Sequence, residues 1–182
     1  MRSSLVVLAM PAAGPVMAAL RPAGPVALRC FSSCGCPDSE RFQKVFNDAC
    51  RRIEHDAGEC LPLIADGTAQ NRPAILFGLS RDSDQILIGQ IAGEQGYKKV
   101  YAGTHHYQAS TLRHTLHGGE AGIADFLPAL QSAGSDWSRA LAQHVTRLIV
   151  SRGLERQREI TLPVRMPEHS PGYLVSWAYR RD

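Results

Sequence analysis

Between Ile86 and Gly119 the chain gathers Tyr101, Arg113 and four of its seven histidines, His105, His106, His114 and His117. These residue types share one chemistry. A guanidinium is a planar fork that matches phosphate oxygens, an imidazole moves protons near neutral pH, and a phenol can orient water. Together they can hold or hydrolyse a phosphodiester, a reaction that needs an activated water and positive charge aimed at developing oxyanions. Arg113 and His117 stand one turn apart if their segment is a helix. The four histidines could instead hold a metal, but no acidic residue lies among them to orient the rings. His144 sits downstream on a periodic apolar segment.

The elements that must position these groups can be read from apolar spacing and turn residues. Ala74 to Ser80 is a short apolar run and reads as a strand, followed by the turn Arg81-Asp82-Ser83-Asp84. Gln85 to Ala92 reads as a second strand, and Lys98 to Gly103 as a third. The glycine-bounded connection between them predicts an antiparallel hairpin. Ser110 can cap a helix with Leu112 and Leu116 on one side and Arg113 and His117 on another, closed by Gly118 and Gly119. Ahead of these, Ser39 to about His55 is periodic enough for an amphipathic helix, and residues 65–73 read as a connector. Ile123 to Leu130 is open between strand and helix because Pro128 interrupts either. Asp136 caps a helix with the stripe Trp137, Ala140, Leu141, Val145, Leu148 and Ile149, ended by Gly153. Residues 160–166 and 173–179 alternate as a terminal hairpin.

Length and charge bound the answer. At 182 residues and 44% hydrophobic, the chain has material for one domain with a real core. Residues 1–37 hold Arg2, Arg21 and Arg29 and no acid, so they supply the whole net charge of +3. That composition reads as a targeting leader excluded from the fold, mitochondrial by its scattered arginines, or secretory through Leu5 to Leu20. Pro11, Pro15, Pro22 and Pro25 interrupt any membrane span there. Residues 38–182 are expected to form one α+β domain, a small mixed or antiparallel sheet flanked by helices. In them, 38–137 carry nine Lys/Arg against 13 Asp/Glu, while 138–182 carry eight against four. A nucleic-acid partner should meet that basic C-terminal third, since phosphate neutralisation needs clustered cations. The five cysteines show neither a disulfide framework nor paired zinc spacing.

Strand ILIGQIA, a short turn, strand VYAG and then R-x-x-x-H at Arg113 to His117 together resemble the GIY-YIG nuclease superfamily over residues 85–153. That resemblance implies a hairpin and helix at the core of the fold and phosphodiester hydrolysis as the activity. It implies Tyr101, Arg113 and His117 as catalytic residues, and one divalent metal, magnesium or manganese, at the helical position that falls on His144. The chain departs from the pattern at three places. Gly89-Gln90-Ile91 stands where the first motif has a tyrosine, His144 where the family has glutamate, and about two residues are added between Gly103 and Arg113. Two other readings therefore stay open. One is a non-catalytic, nuclease-like subunit of a larger mitochondrial assembly. The other is a metal-independent ribonuclease using His114, His117 and Arg113 as acid, base and phosphate clamp.

Overall fold

The computed structural model describes residues 28–46, 50–53, 73–108, 111–149, 156–163 and 172–181. Twelve stretches of regular structure follow in order. They are β1 (Leu28–Ser33), α1 (Pro37–Phe46), β2 (Cys50–Ile53), β3 (Ile75–Ser80), α2 (Asp82–Glu94), β4 (Lys98–Gln108) and β5 (Thr111–Gly118). Then come α3 (Glu120–Ala133), a 3₁₀ turn (Gly134–Asp136), α4 (Trp137–Ile149), β6 (Arg156–Pro163) and β7 (Tyr173–Arg180). The strands make one mixed seven-stranded sheet in the order β2-β1-β3-β7-β4-β5-β6. The α+β expectation is met.

β1 is parallel to β2 and β3, and β7 runs antiparallel to both β3 and β4. Hence β3 and β4 are parallel to each other, with β7 between them. A parallel pair cannot be joined by a tight turn and needs a crossover of a dozen or more residues. That requirement turns QILIGQIA into helix. Asp82 and Asp84 sit in its first turn, where the dipole favours carboxylates, and Ile88 and Ala92 are its buried residues. The hairpin expected from residues 85–103 is thus a helix and a strand. Gly89, expected in the first motif, is a close-approach residue: a Cβ there would lie 2.5 Å from the Tyr179 hydroxyl. Gln85 donates a 2.6 Å hydrogen bond to that same oxygen.

The helix expected after Ser110 is also corrected. Residues 111–118 form β5, with Leu112, His114 and Leu116 buried and Arg113 exposed. A spacing of four is a helical neighbour, but four is also an even number, so the same apolar pair fits a strand's period of two. The helix drawn from Ser39 to His55 stops at Phe46, and residues 50–53 are strand β2. The terminal strands exist but do not form a hairpin: β6 is an edge strand on β5, while β7 inserts in the centre. Residues 28–33, placed in the leader by composition, are an inner strand whose Cys30 and Phe31 are fully buried. Residues 1–27, the connector at 65–72 and Gly153 lie outside the described residues.

Two layers of apolar packing hold the sheet. On one face α1, α3 and α4 cover β1, β3, β7, β4 and β5 with Phe42, Phe126, Leu130, Trp137, Leu141 and Val145. On the other, α2 covers only β1, β3 and β7, through Ile88, Ala92, Phe31, Leu76, Val175 and Trp177. Among the described residues no helix is long and apolar enough to cross a membrane.

Gly78 marks a point of close backbone approach in this second layer. A Cβ there would meet the Phe31 carbonyl oxygen at 2.6 Å and the Trp177 ring at 2.8 Å. Gly78→Ala should lower stability by roughly 1–3 kcal/mol in urea unfolding. Gly93→Ala, on the exposed side of α2 with nothing within 4 Å, should raise it by about 0.5–1 kcal/mol.

Candidate functional site

The strand geometry of β4 and β5 separates the residues that the sequence placed together. On β4, Tyr101, Gly103, His105 and Tyr107 point to the helix-covered face, as do Leu112, His114 and Leu116 on β5. Thr104, His106, Arg113, Thr115 and His117 point the other way. Tyr101 is fully buried, and its hydroxyl bonds to Ser176 Oγ at 2.9 Å. Burial pushes that phenol well above the ordinary tyrosine range. Arg113 lies across the sheet from it, half-exposed and 3.4 Å from Glu159. His117 is on the same face as Arg113, but four residues along a strand span about 13 Å against about 6 Å along a helix. Tyr101, Arg113 and His117 therefore do not converge. Nor do His114, His117 and Arg113, because His114 faces the core.

His144 stands apart on α4. Its Nδ1–H donates to the Ala140 carbonyl at 2.9 Å and its ring packs on Phe126. Among the described residues no group of three or more His, Cys, Asp or Glu stands together. A magnesium or manganese ion needs several oxygen ligands, and a single imidazole without a carboxylate does not fit it.

Two buried polar chains replace the expected cleft. In the first, His105 and His114 meet Nδ1 to Nδ1 at 2.6 Å, His105 Nε2 bonds Ser176 Oγ at 2.8 Å, and Ser176 reaches Tyr101. Trp137 lies against both imidazoles, with ring centroids 4.3 Å and 5.0 Å away. A bridge between two Nδ1 atoms holds one hydrogen, so the two rings carry different tautomers. His114 Nε2 is buried with no hydrogen-bond partner among the described residues. It is either an unaccepted N–H or a bare lone pair, according to which ring donates across the bridge. Burial drives His114 down to about 3, and burial together with the neighbouring His114 holds His105 well below the ordinary imidazole range.

Both rings are accordingly neutral in the fold. An unfolded imidazole takes up its proton near pH 6.5, whereas the folded ones resist it. The stability that this neutrality contributes is complete above about pH 6.5 and is lost as pH falls toward the folded values.

The second chain runs through Asp38, whose carboxylate is fully buried. It accepts from the Tyr107 hydroxyl, from Ser138 Oγ at 3.3 Å and from Arg41 at 3.1 Å. Tyr107 in turn accepts the Trp137 indole N–H at 3.0 Å. Nothing in the local sequence announces this network, because its members come from α1, β4 and α4.

The carboxyl ends of parallel β1 and β3 form a third place to consider, since α1 and α2 leave them toward opposite faces of the sheet. Such switch points commonly receive ligands. Here the chain fills its own crevice: Ser33 Oγ donates to Asp84 Oδ2 at 2.5 Å and accepts the Arg81 N–H at 3.0 Å. Cys36 beside it is buried, and burial raises its thiol, so it is poorly nucleophilic.

No protein family, curated protein or solved structure matches the chain.

What remains accessible is the face of β4, β5 and β6 that α2 leaves open, together with Tyr173 at the start of β7. The ladder register places side chains there in rows across the strands. Tyr173, His106, Arg113 and Thr161 make one row, and Thr104, Thr115 and Glu159 the next. Ala102, His117 and Gln157 follow, with Lys99 beyond them beside Tyr179, its ammonium 5.5 Å from the ring centroid. Tyr173 is 40% exposed, a rare large hydrophobic at the surface, and its ring meets the exposed His106 edge-on at 5.8 Å. The signal for this row was present as the alternation T-x-R-x-T-x-H, but it reads as a surface only once the segment is known to be a strand.

The Tyr107 hydroxyl joins Asp38 to Trp137. Tyr107→Phe should cost roughly 2–4 kcal/mol, because it strands a buried carboxylate oxygen and an indole N–H together. Chemical denaturation should show the loss, with the unfolding slope unchanged.

Proposed function

We propose that this chain binds single-stranded nucleic acid on the open face of β4, β5 and β6, bordered by Tyr173 at the start of β7. The observation that carries the reading is the row Tyr173–His106–Arg113, three neighbouring strands presenting an aromatic ring, an imidazole and a guanidinium side by side. Unpaired bases stack on such rings in a sequence-tolerant way, while a guanidinium holds the backbone phosphate. Arg113 is paired with Glu159 only at the surface, where an ion pair is worth at most about 1 kcal/mol, so phosphate can take its place. Lys99 extends the cationic track along β4. Asp82 and Glu159 are the acids at its rim. The basic C-terminal third, expected to meet the nucleic acid, contributes Tyr173 of β7 and Thr161 of β6 to this row and no Lys or Arg. Arg139, on α4, pairs with Asp136 on the helix side.

Binding without chemistry is the reading that fits the dispersal of Tyr101, Arg113 and His117. A nuclease would bring them to one phosphate. The nuclease-like subunit and the nucleic-acid module are then one proposal, a binding part that works within an assembly.

Fluorescence anisotropy with short single-stranded RNA and DNA tests the reading. Tyr173→Ala should weaken binding about 5- to 100-fold, the worth of one stacked base, and leave the salt dependence alone. Arg113→Ala should weaken it and also reduce the slope of log affinity against log salt by about 0.7, one phosphate contact. Equal binding by wild type and both variants would remove the platform. Hydrolysis of either strand with magnesium or manganese, lost in Arg113→Ala, would restore the nuclease reading.

A further inference from the structure

The paired histidines lie directly beneath the platform, on the opposite face of the same two strands. The His105–His114 register pair falls between the Thr104–Thr115 and His106–Arg113 pairs, so the same length of β4 and β5 carries the buried bridge and the exposed row. We propose that the His105–His114 pair is an acid-sensitive lock that holds β4, β5 and Trp137 in the binding-competent arrangement while both rings are neutral and parts when both are charged. The inference rests on the platform being the binding site.

The geometry makes the lock one-sided. A single hydrogen bridges the two Nδ1 atoms at 2.6 Å, so two imidazolium rings would set N–H against N–H at that distance. Among the described residues no counter-charge is placed to compensate. Facing the pair from the sheet are the neutral hydroxyls of Tyr101 and Ser176, and from α4 the Trp137 indole. The buried acid of this core, Asp38 of α1, is already taken by Tyr107, Ser138 and Arg41. Among the described residues α3 presents apolar side chains to this core, and β6 presents Ile160 and Leu162. Arg158, exposed and next along the same face of β6, is a cation and offers no compensation. His144 of α4 is turned to Phe126 and its own backbone. Among the described residues His114 Nε2 has no acceptor for an added proton.

A state in which both rings reach water regains ordinary imidazole behaviour. Each pH unit below about 6.5 then favours that state up to tenfold per ring, and up to 100-fold for the pair. Acid has the opposite effect on a simple cationic surface, where added positive charge strengthens phosphate binding. The sign of the pH effect on affinity therefore separates a lock from ordinary electrostatics.

Fluorotryptophan incorporated into the full chain supplies two fluorine resonances, Trp137 against the histidine pair and Trp177 on the opposite face, bonded to Ser80. The titration runs from about pH 7.5 to about pH 5. Over that range the Trp137 resonance should convert to a second species with a two-proton dependence, Trp177 should stay, and oligonucleotide affinity should fall at least tenfold. His114→Gln, or His105→Gln should the first not fold, replaces one titrating ring by an amide and should leave a one-proton step. A fixed Trp137 resonance would overturn the lock, as would both tryptophans changing together or a two-proton step retained in the variant. A Trp137 transition in a protein that binds no oligonucleotide at any pH would uphold the lock as a conformational device and remove the nucleic-acid reading.

Discussion

A carboxylate cut off from water is the constraint on which this structure turns. Asp38 begins α1, and a buried charge is tolerated only where several donors compensate it. Tyr107 from β4, Ser138 from α4 and Arg41 from the next turn of α1 supply them. Because those donors come from three elements, satisfying one carboxylate fixes how α1 and α4 sit on the sheet. Trp137 carries the constraint onward. Its N–H completes Tyr107, and its ring closes over the His105–His114 bridge, which continues through Ser176 to Tyr101. Apolar packing brings these helices to the sheet without direction, whereas the polar chain admits a narrow set of orientations.

That arrangement leaves the two faces of the sheet unequally covered. Three helices are committed to the face with Asp38, and the crossover from β3 to β4 supplies only α2 for the other. α2 lies over β7, where Tyr179 and Gln85 meet beside Gly89, and so the outer strands β4, β5 and β6 keep a polar face in contact with water. An antiparallel sheet can do this because alternation lets one side be apolar and the other polar. The candidate binding row and its buried support follow from that alternation: His105 and His114 face inward on the strands that turn His106 and Arg113 outward.

Much of the sheet was legible. β3 and β7 are short apolar or alternating runs bounded by turn residues, and the start of β4 is equally plain. α4 shows its stripe from Trp137 to Leu148 without help from context. The errors share one cause. Ile88 and Ala92, like Leu112 and Leu116, are four apart, and that interval satisfies a helix and a strand alike. Local spacing alone cannot choose, and in both segments the weaker-looking alternative is the one adopted. The site residues suffered from the same ambiguity, since Arg113 and His117 are neighbours on a helix and strangers on a strand.

The sequence by itself determined the class of fold, the strand β3, the start of β4, the helix α4 and the presence of Tyr101, Arg113 and several histidines in one short segment. Local spacing, turn residues and residue chemistry suffice for those. Only the tertiary structure decided that β7 inserts between β3 and β4, that residues 82–94 must therefore cross over as a helix, and that β1 belongs to the interior. It also decided which histidines are buried, His105 and His114, and which side of the sheet carries His106 and His117. Those outcomes depend on pairings between residues 69 to 100 positions apart, Asp38 with Tyr107 and Ser138, Tyr101 and His105 with Ser176. A local pattern carries no term for a partner that distant, because only the closed chain brings the two groups within hydrogen-bonding reach.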